Sequence, residues 1–260
     1  MGEVIARRQF EPLYIWLDIC FLLVLFTLLM VKKKYTTVIV GVLAGILYML
    51  VDYGIFHLVC HSRSISEGNS LFAVLLWMSL SYGFTNFTWI WLWISKDKHL
   101  FEWSFFILSW WFCCPLIVRT FGNGENLITI QRTTGEYHGY MAVILFAGYL
   151  GLIIWNLLQA EKKRRIFIPW LLAIGILVQF GWEAALLLGG IRSAGFASMA
   201  EKLAPLIVNS LLETNLGMPY IYLIYLFVSG RFTEDLKKKP KVVPMAERIA
   251  EDNEKKGAWV

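Results

Sequence analysis

The chain has 260 residues, of which 58% are hydrophobic and only 17% are charged. This balance excludes an ordinary soluble globular domain, and the mean hydropathy of +0.59 points to an integral membrane protein. The formal net charge of +5 does not indicate binding to nucleic acid, because the basic residues lie between apolar runs and in the C-terminal segment.

Seven apolar runs are long enough to cross a bilayer, since a transmembrane helix needs about 20 apolar residues. In chain order they cover residues 12–31, 36–60, 70–94, 101–118, 138–158, 166–190 and 203–228. The first run has the length of a full span and is followed by lysines, which indicates a retained helix and not a cleaved signal peptide. We predict an all-α polytopic membrane protein with a seven-helix transmembrane domain over 1–230 and a polar cytoplasmic tail over 231–260.

The distribution of basic residues predicts the orientation of the chain. With the N-terminus outside, the inner loops hold nine Lys and Arg residues and the tail adds eight, whereas the outer segments hold seven. Cytoplasmic loops of membrane proteins carry an excess of Lys and Arg. We therefore expect the N-terminus outside and the C-terminus in the cytoplasm.

An internal repeat is visible at a fixed offset of 129 residues. Five polar identities share this offset: Arg63-Ser64 with Arg192-Ser193, Ser81 with Ser210, and Thr85-Asn86 with Thr214-Asn215. We predict a 3+1+3 parallel pseudo-repeat, with copies over about 12–94 and 138–228 and a linker helix over about 101–118. A cavity is expected between the two copies.

Three carboxylates interrupt the apolar runs and are the candidate catalytic residues, namely Asp52, Glu183 and Glu213. Ionisable residues inside spans usually face the bundle interior and mark function. A carboxylic acid in such a place can keep its proton at neutral pH and donate it to a substrate. The alternative is that each acid forms hydrogen bonds that hold the helices together. The spacing is also uneven: Asp52 lies eleven residues before Arg63, and Glu183 lies nine before Arg192. Either the loop of one copy has two residues more than that of the other, or the two acids face different ways.

Six further residues are candidates for binding a substrate: Asn86, Asn215, Arg63, Arg192, Trp182 and Tyr53. The asparagines could orient an acid or bind a hydroxyl group, or they could hydrogen-bond between helices. The arginines could pair with the acids, bind an anionic head group or extend to the membrane interface. The aromatic side chains could line a pocket and stabilise a cation.

Metal and cofactor chemistry are not predicted. His57 and His61 lie four residues apart on one helical face, but no third ligand has a suitable spacing. The sequence contains no CxxC, HExxH, Walker or GxSxG motif. We expect no metal and no cofactor.

Several short motifs resemble a known family. Asp52 is followed by His61-Ser-Arg-Ser64, Gly83-Phe-Thr-Asn86 lies in the third run, and Glu213-Thr-Asn215-Leu-Gly lies in the seventh. In these features the chain resembles the small seven-span membrane terpene cyclases of fungal meroterpenoid and indole-diterpene pathways and their bacterial relatives. It departs from that family's pattern, which has Glu at the first acid and Asp at the second, and its Trp-Glu pair stands at Trp182-Glu183 in the sixth run.

The resemblance implies proton-initiated cyclisation of a prenyl or epoxyprenyl substrate. One carboxylic acid would protonate an alkene or epoxide, and a second group would take the proton from the final cation. The lipid bilayer and an apolar prenyl-type molecule would then be the partners, with no nucleic acid. Two alternatives stay open. The 3+1+3 arrangement is similar to the SWEET and PQ-loop transporters, although no Pro-Gln pair occurs, and the tail could belong to a membrane sensor or assembly factor.

Overall fold

The computed structural model describes residues 7–132, 137–161, 165–192 and 198–232. These described residues are 78% helical. It divides into two compact units, residues 1–223 and 224–260, and the first unit contains every candidate site residue. Of the predicted tail, only residues 231 and 232 belong to the described part of the chain, where they end the last helix.

Among the described residues, seven helices are long and apolar enough to cross a membrane, which confirms the predicted number of such helices. They are α1 (Pro12–Val31), α2 (Tyr35–Met49) with its continuation, a π-helical segment over Leu50–Val59, α3 (Leu71–Ile94), α4 (Leu100–Phe121), α5 (His138–Leu158), α6 (Ile168–Leu188) and α7 (Met199–Phe232). The last helix begins earlier and ends later than the predicted run over 203–228.

Local sequence signals account for several helix ends. Proline occupies the first turn of both α1 and α6, where its fixed φ suits a helix and its missing N–H costs nothing. Ser70 caps α3, because its side chain accepts a hydrogen bond from the backbone N–H of Ala73 at 3.3 Å. After α1 and α3 the chain turns at Lys33 and Lys96, which have φ values of 57° and 53°.

A small sheet corrects the all-α prediction. Strands β1 (Arg7–Phe10), β2 (Arg63–Ile65) and β3 (Ile128–Arg132) form an antiparallel sheet in the order β1-β3-β2. The three strands precede α1, precede α3 and follow α4, so they lie at one end of the bundle, here called the sheet end. Segments between apolar runs were predicted as connectors, because strands of three to five residues leave too short an alternation to stand out from a loop.

The alternation of side chains along the strands directs three arginines to the bundle. Successive side chains of a strand point to opposite faces, and Arg8 and Phe10 are buried while Arg7 is exposed. Ile130 pairs with Arg8 on one side and with Ile65 on the other, and Arg132 pairs with Arg63. Arg8, Arg63 and Arg132 therefore share the sheet face that covers the helix ends.

Helices α2 and α3 are in close contact, and small residues at the interface permit it. Gly41 and Gly45 form a GxxxG pair on α2, the spacing that allows close approach of membrane helices. A Cβ atom at Gly83 of α3 would overlap the backbone of Gly45 and Ala44. By contrast, α5 has one buried residue, Leu152, as expected for an apolar helix on the outside of the bundle.

The close contact of α2 with α3 predicts the effect of Gly83→Ala. The added methyl group meets backbone atoms, which cannot rotate away, so the helices must separate. We expect a loss of about 2 kcal/mol, as for other overpacked sites, and a thermal unfolding midpoint lowered by several degrees in detergent. Gly151→Ala on α5 is the matched control, because no atom lies within 4 Å of a Cβ there. Equal midpoints for the two variants would contradict this packing.

Candidate functional site

Four arginines gather at the sheet end. Arg8, Arg63 and Arg132 lie on β1, β2 and β3, and Arg192 follows the end of α6. The backbone N–H of Gln9 donates to the carbonyl of Ile191 at 3.0 Å, which fixes β1 beside the end of α6. Arg8, Arg63 and Arg192 are buried and Arg132 is half-buried. Buried guanidinium groups require partners, and the acids of the neighbouring helices supply most of them.

Asp52 joins the sheet to the π-helical segment. Its Oδ1 accepts a hydrogen bond from Arg63 Nε at 2.8 Å, and its Oδ2 accepts one from Arg132 Nη2 at 2.7 Å. Asp52 is 4% exposed. Each of its two carboxylate oxygens binds an arginine of a different strand. This pairing with two guanidinium groups stabilises the ionised form of Asp52.

Glu183 occupies a comparable place on α6. Its Oε2 lies 3.0 Å from Arg192 Nε, and its Oε1 lies 3.2 Å from the donor Gln179 Nε2 and 3.4 Å from the donor Asn209 Nδ2. Glu183 is 1% exposed. It therefore connects to the segment after α6 by an ion pair and to α7 by a hydrogen bond from Asn209.

Glu213 differs from the other two acids. It is half-buried, and its Oε2 accepts a hydrogen bond from Gln179 Nε2 at 2.9 Å. In the described part of the chain it forms no ion pair within 4 Å. Gln179 thus bridges Glu183 and Glu213, while its own Oε1 accepts hydrogen bonds of 2.5 Å from the hydroxyls of Tyr82 and Thr214.

The pKa values of the sheet arginines reflect how the acids are shared. Burial alone would lower the pKa of Arg132, but the carboxylates of Asp52 and Glu213 raise it above its usual value. Burial and the neighbouring charge of Arg132 lower the pKa of Arg63 to about 10, although Asp52 opposes this. Burial, then Arg132 and Arg192, lower the pKa of Arg8 to about 9. The charges of the cluster therefore act on one another across both halves of the chain.

A row of aromatic rings adjoins this polar network. Tyr82, whose hydroxyl reaches Gln179, packs its ring against Tyr48 at 4.8 Å and Trp182 at 5.8 Å between centroids. Trp182 continues to Trp111 at 5.3 Å, and Trp111 continues to Trp89 at 5.5 Å. The row spans α2, α3, α6 and α4, and its electron-rich faces could stabilise a cation.

The two predicted asparagines have different surroundings. Asn215 accepts a hydrogen bond from the Tyr149 hydroxyl at 3.3 Å and donates to the carbonyl of Ser210 at 3.3 Å. Asn86 is fully buried, and within the described residues neither of its amide atoms has a hydrogen-bond partner. Tyr53 lies apart from the acid network, since its ring packs on Phe72 and His57 at 5.1 Å.

The pockets among the described residues include two small ones, with volumes of about 20 and 80 Å³. The smaller lies beside Arg8 and Trp182, and the larger lies among Trp89, Trp93 and Trp170. Neither is lined by Asp52, Glu183 or Glu213. Among the described residues, no three His, Cys, Asp or Glu side chains are grouped to hold a metal.

The sequence reasoning did not single out several members of the network. Arg8 and Arg132 entered only as basic residues outside the spans, and Gln179 and Tyr82 were not selected as site residues. The signal for a buried strand face was a spacing of two residues, which places side chains on one face of a strand. Arg8 and Phe10 have this spacing, and so do Ile128, Ile130 and Arg132. No local pattern marks Tyr82, because its role depends on the contact between α3 and α6.

Comparisons with family models, curated proteins and solved structures found no match for the chain.

The double pairing of Asp52 predicts a large effect of Asp52→Asn on stability. The substitution keeps the shape of the side chain but leaves two guanidinium groups without their counter-ion, which costs about 3–5 kcal/mol. We expect the thermal unfolding midpoint in detergent to fall by roughly 10 °C. Glu67→Gln, at an exposed position between β2 and α3, should leave the midpoint unchanged. A midpoint for Asp52→Asn equal to that of the wild type would show that the ion pairs do not hold the sheet.

Proposed function

We propose that the chain is a multi-pass membrane enzyme that performs acid–base chemistry on a lipid-soluble substrate, with Glu213 as the proton donor. One observation carries this proposal: among the three acids of the cluster, Glu213 alone forms no ion pair with a described arginine. Its hydrogen bond comes from the neutral amide of Gln179, so it can take up and release a proton without breaking a salt bridge.

The aromatic row supports a reaction with a cationic intermediate. In the cyclisation that the family resemblance implies, Glu213 gives its proton to an alkene or epoxide, and the chain closes on the resulting cation. A base then removes a proton from the last cation, so no proton is consumed overall. Tyr82 lies two contacts from Glu213, through Gln179, and Trp182 lies three contacts away, through Tyr82. Their rings would stabilise the positive charge.

The proposal gives the other acids positioning roles. Asp52 is held between two arginines, and protonating it would break both ion pairs. Glu183 has Arg192 as a partner and orients Gln179, which in turn orients Glu213. Asn86, with its amide atoms unpaired among the described residues, is proposed as a binding group for a polar atom of the substrate.

The paired acids also support the inferred 3+1+3 repeat. Each half has an acid bonded to the arginine that follows it, namely Asp52 with Arg63 and Glu183 with Arg192. The spacings of eleven and nine residues are reconciled by the π-helical segment over Leu50–Val59. A π-helix uses about one more residue per turn than an α-helix, so its two turns absorb about two residues. Both acids then face the sheet end despite their unequal spacing.

A transporter is the second candidate, because ion pairs lie at both ends of the bundle. At the end opposite the sheet, Lys34 and Asp97 form an ion pair between the segments after α1 and after α3. Charged pairs that alternately open at the two ends would suit alternating access. The tail as a contact for a sensor or assembly partner remains a third proposal.

Turnover by Glu213→Gln tests the enzyme proposal. Purified protein in nanodiscs is incubated with polyprenyl and epoxyprenyl substrates, and cyclic products are quantified. Because general acids contribute about 10²–10⁴-fold to rate, we expect at least a hundredfold loss for Glu213→Gln, with wild-type rates for the surface variant Glu67→Gln. Equal product from Glu213→Gln would remove this acid from the mechanism. Uptake of sugars or amino acids into proteoliposomes, without turnover, would favour the transporter.

The proposed orientation places the sheet end outside the cell and the C-terminus in the cytoplasm. Fusions at the C-terminus test it, since green fluorescent protein folds in the cytoplasm and alkaline phosphatase is active only after export. We expect fluorescence from the first fusion and no activity from the second. The reverse result would invert the bundle and place the arginine cluster on the cytoplasmic side.

A further inference from the structure

The smaller pocket of the bundle lies where β1 meets α1, α3 and α6. Its volume of about 20 Å³ accommodates one or two groups of the size of a water molecule. Four of its lining residues are aromatic (Phe10, Tyr14, Trp77 and Trp182), and its polar side chains include Arg8 and Ser81. A mostly apolar wall with a few convergent polar groups is typical of a small-molecule site.

Arg8 is the arginine of the cluster that lacks a carboxylate of its own. It is 8% exposed, and in the described part of the chain its guanidinium has no hydrogen bond and no ion pair. Arg63, Arg132 and Arg192 each lie within 3.0 Å of an acid. A buried charge without a partner is costly. Burial accordingly lowers the pKa of Arg8 to about 9.

A second pocket-lining residue also carries an unsatisfied donor. Trp182 Nε1 is buried, and the described residues provide no acceptor for it. The carboxylate of Asp18 accepts a hydrogen bond at 2.9 Å from Nε1 of Trp77, another pocket-lining residue. Arg8 and Trp182 thus both carry N–H donors that have no acceptor in the described part of the chain.

We propose that this pocket receives the two oxygens of a carboxylate, the head group of an amphiphilic molecule whose apolar part packs on the neighbouring aromatic side chains outside it. The guanidinium of Arg8 would donate charge-assisted hydrogen bonds to the oxyanion, and the indole of Trp182 would donate one more. Both donors would be satisfied by the same group. A cation would meet the positive charge of Arg8 in this pocket, and a purely apolar ligand would leave the two donors unpaired.

The proposal does not rest on catalysis by Glu213. Trp182 belongs to both the pocket and the aromatic row, so an amphiphile anchored at Arg8 would extend toward Tyr82. Binding at Arg8 and turnover by Glu213 are nevertheless separate properties. An inactive protein that still binds the anion would refute only the proposed function, and an active protein that binds no anion would refute only this inference.

Anion binding to full-length protein in nanodiscs of neutral lipid tests the proposal. The probes are decanoate, decanol as the uncharged chain of equal length, and acetate and inorganic phosphate as anions without a chain. Affinities are measured by calorimetry and by the shift of the unfolding midpoint. The variants are Arg8→Gln and its matched control Arg7→Gln, which removes an exposed charge from the neighbouring position on β1.

We expect decanoate to bind wild type and Arg7→Gln equally and to bind Arg8→Gln about 10- to 100-fold more weakly, the loss typical of a hydrogen bond to a charged group. Decanol should show no difference among the three proteins. Tight binding of acetate or phosphate would assign the site to a free anion and would support the same oxyanion chemistry. If Arg8→Gln does not fold, Trp182→Phe tests the second donor, with an expected loss of roughly threefold to tenfold.

Two results would overturn the proposal. One is equal decanoate affinity for wild type and Arg8→Gln. The other is an absence of binding by every anion. If Arg8→Gln also has a lower unfolding midpoint in the absence of ligand, Arg8 has a purely structural role, because a binding residue with an unpaired charge should leave the midpoint unchanged or raised when it is neutralised.

Discussion

The ion pairs of Asp52 with Arg63 and Arg132 are the interaction on which the arrangement of this molecule depends. They join two strands to the π-helical segment through one buried carboxylate. A buried ion pair is a weak source of net stability, but its geometry is demanding and its loss is expensive. The sheet is therefore held in one position over the helix ends, and that position brings Arg8 and Arg132 into the range of Glu183 and Glu213.

The members of this cluster differ in whether they form an ion pair. Four arginines meet three carboxylates, and two of the acids are committed to ion pairs. Glu213 is left with a neutral amide donor, and Arg8 is left without an acid. We propose that the first donates a proton to a substrate and that the second holds an anion; Trp182 and Tyr82 lie between them. The proposed acid and the proposed anion site are thus two consequences of the same pairing.

Much of the helical framework could be predicted from sequence, because apolar runs of about 20 residues are an unambiguous signal. The acids were also found readily, since an ionisable residue such as Glu183 stands out within an apolar run. The sheet was missed because its strands are short and lie between stronger signals. The π-helical segment could not be predicted from sequence either, because it is as apolar as a membrane-spanning α-helix. Contacts such as Tyr82 with Gln179 depend on helix packing, which no local pattern encodes.

A double-mutant cycle between Asp52 and Arg132 tests the central claim most directly, using Asp52→Asn, Arg132→Gln and the double variant. Unfolding free energies of the four proteins in detergent give the coupling between the two side chains, free of effects that each substitution has alone. Direct contact in a buried cluster predicts a coupling of about 1–3 kcal/mol. A coupling near zero would mean that the sheet is not held by this carboxylate, and that the acids and arginines do not form one cluster.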